Sequence, residues 1–308
     1  MRICGAHRIH AARVALCCAA LAPLPATADS AAWSRHMQDG ITAHGEGDYA
    51  AAARALEAAL EHAREFGDRD RRLADTANNL AAVYRAQGRY AQAEPLYRQS
   101  LAVYERALGP KHATLGAARN NLAVALELQG RYAEAEPLYR RSLAISERAL
   151  GKMHPNVAAA LINLARLYTT LGRHAAAEPL AQRGLAIAER SLGDSHPGTA
   201  AALAYLARLR LAQGRVAEAA KLAERSLAIY ESRLGAGHTH TALALQALGE
   251  IRRAQARFAQ AEALYRRALG IRERAFGGDH PEAVASRVAL FALYRSQGRR
   301  AEADALLE

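Results

Sequence analysis

Five histidines stand 42 residues apart: His112, His154, His196, His238 and His280. Imidazole is both a metal ligand and a general base, so such a row is the first place to look for chemistry. The spacing argues against both roles. Metal ligands must converge at about 2 Å on one ion, whereas groups that recur once per unit stand a helix-pair width apart. Three of the five directly precede a proline (Pro155, Pro197, Pro281), which is the place of a residue just outside a helix. The row is therefore expected to cap and pack helices. No nucleophile–base pair stands out. Ser100, Ser142 and Ser226 share their position with Gly184 and Ala268, so that position keeps small size and not a hydroxyl. A glycine-rich phosphate loop, an HExxH motif and paired carboxylates are missing. We expect no catalytic residue, no metal site, no cofactor and no enzymatic role.

The asparagines carry a different chemistry. Asn79, Asn121 and Asn163 each precede an unvarying leucine (Leu80, Leu122, Leu164), and Asn78 and Asn120 double them in two units. A primary amide offers donor and acceptor together, which suits gripping an extended backbone. Two residues past the leucine the series runs Ala82, Val124, Arg166, Arg208, Glu250, Ala292. Arg166 and Arg208 could pair with acidic side chains or a chain-end carboxylate. The amides could instead brace neighbouring helices, and Tyr205, Ala247 and Ala289 break the series in the last three units.

The elements that must position these residues follow from the same period. A turn glycine falls at Gly88, Gly130, Gly172, Gly214 and Gly298, with Ala256 in the gap, and a second at Gly67, Gly109, Gly151, Gly193, Gly235 and Gly277. A fixed period of this size marks an array in which each unit buries its apolar face against its neighbours. Within a unit, Leu122, Ala123 and Leu126, then Ala135, Leu138, Tyr139, Ser142 and Leu143, recur in steps of three and four, which is helical spacing. Each unit therefore reads as helix A, a short Gly-Arg-Tyr turn, helix B and a loop. The unvarying alanine (Ala93, Ala135, Ala177, Ala219, Ala261, Ala303) is expected at the closest approach of A and B. Pro95, Pro137 and Pro179 lie about a turn inside helix B, where proline bends or weakens a helix; a tolerated bend is expected.

These residues resemble the tetratricopeptide repeat. The quoted pattern is Leu80-Ala81 to Tyr84, then Ala93 to Tyr97, and the longer period is similar to the repeats of kinesin light chains. The resemblance covers about residues 40–308. It implies an all-α, right-handed superhelical solenoid of antiparallel helix pairs, here six full pairs and a truncated seventh. It also implies that helices A line a concave groove. Asn78, Asn79, Asn120, Asn121, Asn163, Arg166 and Arg208 would then form a peptide-binding track. The expected function is a non-enzymatic protein–protein interaction scaffold. The alternative is a structural module that self-assembles through its outer face or C-terminal end.

Residues 1–28 stand outside the repeat. Arg2, Arg8 and Arg13 precede an apolar run, Val14 to Ala22, too short to span a bilayer, and Ala26-Thr27-Ala28 is a small-x-small site. This reads as a secretory signal peptide cleaved after Ala28, leaving 29–308 as the solenoid in the bacterial periplasm or outside the cell. All three cysteines, Cys4, Cys17 and Cys18, lie in it, so disulfide chemistry is not expected in the mature chain. No later segment is apolar enough to enter a membrane. Without the three leader arginines, 38 basic face 30 acidic residues, so an acidic protein or peptide is the charge-matched partner. Nucleic acid is not expected, because stacking aromatics do not accompany a basic patch. Oligomeric state is not legible.

Overall fold

The computed structural model describes residues 28–307. The leader reading covers residues 1–28, of which 1–27 lie outside them. The described chain is fourteen helices in seven consecutive pairs, with no strand among the described residues. The pairs are α1 (Ala28–Glu46) and α2 (Tyr49–Glu65), α3 (Arg71–Ala86) and α4 (Tyr90–Leu108), and α5 (Ala113–Leu128) and α6 (Tyr132–Leu150). Then come α7 (Pro155–Thr170) and α8 (His174–Leu192), α9 (Pro197–Ala212) and α10 (Val216–Leu234), α11 (Thr239–Ala254) and α12 (Phe258–Phe276), and α13 (Pro281–Ser296) with the short α14 (Arg300–Asp304). This is the all-α, right-handed solenoid of helix pairs that the repeat resemblance implies.

Local chemistry sets every boundary. Each loop histidine is the N-cap of a helix A: Nδ1 of His112, His154, His196, His238 and His280 accepts the backbone N–H two residues on. That bond satisfies one of the orphan donors of the first turn. At the A–B turns the chain enters the left-handed region, with φ of +76° at Gly130 and +71° at Gly172. Asp48 caps α2, but no later helix B has a side-chain cap. Instead the turn arginine reaches back one unit: Arg131 to Glu94 at 2.5 Å, Arg173 to Glu136 at 2.9 Å, Arg299 to Glu262 at 2.6 Å. The helices run unbroken through Pro95, Pro137 and Pro179.

Packing explains the unvarying residues. The alanine that meets helix A is fully buried in all six units where it falls, Ala93 to Ala303. At the small-residue position, a β-carbon on Gly184 would lie 2.8 Å from Ile162 Cδ1, so size is what this position keeps. At two of the three serines the hydroxyl also donates to a carbonyl of helix A, Ser142 to Gly116 at 2.7 Å and Ser226 to Ala200 at 2.8 Å, whereas the Ser100 hydroxyl has no such bond. The glutamates beside arginines near the end of helix B do not pair with those neighbours. Glu147 and Glu189 bind Arg183 and Arg225 on the next helix B instead, as Glu231 binds Arg267, while Glu105 and Glu273 bind Arg119 and Arg287 on the next helix A. The i,i+1 geometry points such neighbours apart, whereas helices packed side by side bring the long side chains together.

Helices A touch the next helix A along the array (α3–α5, α5–α7, α7–α9, α9–α11), and helices B make no comparable contact. The A row is therefore the shorter side of the curve, and its outward face lines the concavity. One turn breaks a local rule. Ala256 replaces glycine and holds φ +57°, which costs an L-residue about 1–2 kcal/mol. Ala256→Gly should raise stability by about 0.5–1 kcal/mol, net of the entropy glycine adds to the unfolded chain. A urea midpoint that stays put or falls, at constant slope, would sink this expectation.

Candidate functional site

On the concave row, the asparagines meet in a regular pattern. Asn121 Nδ2 donates to Asn78 Oδ1 at 2.9 Å, and Asn163 Nδ2 donates to Asn120 Oδ1 at 2.9 Å. The doubling of asparagine thus has a structural reason, since the first of each pair accepts from the second of the next helix A. The ladder ends where Ile162 and Tyr205 replace its members. Asn79 is 9% exposed and its amide turns toward the Met37 sulfur at 3.9 Å. Each of these bonds uses one N–H and one lone pair, so every amide keeps capacity beyond the brace.

Asn78, Asn79 and Asn121 line one pocket together with His44 and Arg85. No Asp or Glu lines it. Its enclosed space is about 30 Å³, room for a water or two and far below the ~300–1,000 Å³ that encloses a small organic ligand. An extended chain lying across its mouth suits this shape better. Arg85 hydrogen-bonds the Tyr97 hydroxyl, and His44, Tyr49, Tyr90 and His240 lie within its electrostatic reach. Its charge has no carboxylate partner among the described residues. Burial lowers the His44 pKa, and the Arg85 charge lowers it further. The pocket therefore presents amides and a guanidinium without a counter-ion, an arrangement that favours a carboxylate and a peptide backbone.

The sequence reading placed its arginines elsewhere. Arg166 lies outside this pocket and pairs with Glu127, whose side chain is only 5% accessible, and with the Tyr139 hydroxyl at 3.2 Å. Burial raises the Glu127 pKa, against the pull of Arg166 and Tyr139. Arg208 is exposed, and its charge acts on another cation, Arg272. Asn120 stands beside Asn121 on α5 but does not line the pocket, and Asn163 sits one unit beyond it on α7. Arg85 was missed, although a signal existed: Asn78, Ala82 and Arg85 follow at steps of four and three, which is one helix face.

The tetratricopeptide-repeat family profile matches residues 40–106, 72–148, 114–190, 157–232 and 240–308. No curated protein sequence matches the chain. Among solved structures, a Podosopora anserina protein of nearly identical TPR-like repeats, assigned as a kinesin light chain, is 28% identical. It covers 65% of this chain and 94% of its own, with a TM-score of 0.50. BtubC (BKLC) from P. vanneervenii is 24% identical over 83% of this chain and 95% of its own, TM-score 0.54. A Rap protein complexed with competence and sporulation factor is 14% identical over 89% of this chain and 78% of its own, TM-score 0.59. The last two establish similarity of fold.

Proposed function

The chain belongs to the tetratricopeptide-repeat family, and from that premise we propose that it is a non-enzymatic scaffold holding an extended segment of a partner protein in its concave groove. The meeting of Asn78, Asn79, Asn121 and Arg85 in one acid-free pocket carries this reading. The amides take backbone N–H and C=O groups, and Arg85 takes a carboxylate from an acidic side chain or a chain end. Asn120 and Asn163 extend the track by one unit. Arg166 acts from behind, holding Glu127 and Tyr139 in place, and Arg208 offers an exposed charge further along. The leader read in residues 1–28 assigns the scaffold to the bacterial envelope or the exterior, and the excess of basic residues matches an acidic partner.

A library of nine-residue peptides displayed against the chain tests this. Acidic peptides should be enriched. Their affinity should fall about 10- to 100-fold for Arg85→Gln, the range expected for losing a charge-assisted hydrogen bond of about 1.5–3 kcal/mol. Unselective enrichment, or unchanged affinity with circular dichroism intact, would remove the pocket from the binding site.

One observation favours the second reading, self-assembly through the C-terminal end. Val284 is 40% and Val288 58% exposed on α13. The residues matching Val284 in earlier units, Ala74, Gly116, Ala158, Ala200 and Ala242, are buried beneath a full helix B. Concentration-dependent mass of the chain is the signature of that reading.

A further inference from the structure

The two ends of the array touch. The loop from Phe276 to Pro281 lies against the turn after α1 and the turn after α3. His280 Nε2 bonds the Ala86 carbonyl at 2.7 Å. Its Nδ1 accepts the Glu282 N–H at 3.1 Å, so capping α13 leaves the proton on Nε2 and makes that atom the donor. The acceptor is one of the last carbonyls of α3, which have no partner within their own helix. The Phe276 ring stacks on His280 at 4.3 Å and meets Tyr49 at 5.6 Å. Pro281 comes so near Gly88 that a β-carbon there would lie 2.8 Å from Pro281 Cδ. His280 is 9% exposed, whereas the other four loop histidines are half-buried or exposed.

We propose that this contact is a latch, which closes the solenoid into a ring around its groove and opens to admit a partner segment. The role in admission rests on the pocket reading above; closure itself does not. The latch adjoins the pocket on both sides. Ala86 follows Arg85 in the chain, Tyr49 meets His44 at 5.6 Å, and His240 on α11 reaches Arg85 across the concavity. An extended chain cannot pass sideways into a groove closed on that side. The contact is one hydrogen bond, one aromatic cluster and one proline edge. It therefore adds little to the packing within each unit and can part while every helix pair stays folded. Position 276 holds phenylalanine where Leu108, Leu150, Leu192 and Leu234 stand in the four preceding units, and the first unit has Phe66 there.

The test uses the chain carrying Phe276→Leu and His280→Asn together. Leucine is the residue of the preceding units, and asparagine retains the cap while losing the reach to Ala86. Small-angle X-ray scattering should show a larger radius of gyration and maximum dimension than wild type, with helicity and melting unchanged. His154→Asn, a loop histidine away from the contact, should leave scattering as it is. Superimposable curves for wild type and the double variant would overturn the latch. If the double variant melts early, Tyr49→Ala, which removes the other half of the aromatic contact, decides by the same measurement. An acidic peptide that binds wild type should associate faster with the opened variant, and an equal or slower rate would overturn the gating role. Loss of affinity in Arg85→Gln reports on the pocket and not on closure, so either reading can fail while the other stands.

Discussion

Arg166→Ala should cost about 3–5 kcal/mol. The Glu127 side chain is 5% accessible, and its charge is met by the Arg166 guanidinium and the Tyr139 hydroxyl. Removing the arginine leaves a desolvated carboxylate with one neutral partner, and that burden is larger than the worth of the ion pair itself. Glu127→Leu made in addition should therefore restore most of the loss, because an apolar pair needs no counter-ion. Arg166→Lys should recover little, since a single ammonium cannot serve the carboxylate and the phenol at once as the planar fork does. Urea unfolding of the four proteins compares these losses. A folded, fully stable Arg166→Ala protein that had merely lost peptide affinity would make Arg166 a ligand-binding residue, and the internal role assigned to it would be wrong.

The second large effect is a loss of stability in acid. Burial, with the charges of His238 and Arg85 behind it, pushes His240 down from the ordinary 6.5 to about 4. The sign follows from which state binds the proton. Between those two values the unfolded chain protonates His240 and the folded chain does not, so stability falls as pH drops from about 6.5 to about 4 and then levels off. A shift of this size is worth about 3 kcal/mol. Burial also lowers His238, and burial with Arg85 lowers His44, so both add in the same direction. His240→Asn places there the residue that the equivalent Asn156 already supplies. It should flatten the dependence by up to about 3 kcal/mol while the contributions of His44 and His238 remain. Denaturant midpoints of both proteins at pH 7 and pH 4.5 decide this, and equal losses in the two would refute the assignment.

Much of the fold was legible. The glycine series, the steps of three and four and the histidine–proline dipeptides are local signals, and each acts within one turn of helix or one loop. Gly130 is needed because the chain turns left-handed at that residue, and His154 caps because its ring reaches the amide two residues on. The asparagines were legible as residue types but not as partners, since the bond from Asn121 to Asn78 spans two helices. Arg166 was legible as an arginine near the groove, whereas Arg85 was missed. Only a neighbour from another unit separates them: Glu127 for Arg166, and no carboxylate for Arg85.

The sequence by itself therefore determined the repeat unit, its helices, their caps and the alanine contact inside each pair. All of these depend on residues within about one period, and the period repeats the same instruction. The tertiary structure decided which charges are neutralised, which amides meet in a pocket, and that the loop at Phe276–Pro281 returns to α3. Those depend on a small rotation per unit summed over several units, and on the reach of side chains between helices. A periodic sequence states the rotation nowhere, because no single unit contains it.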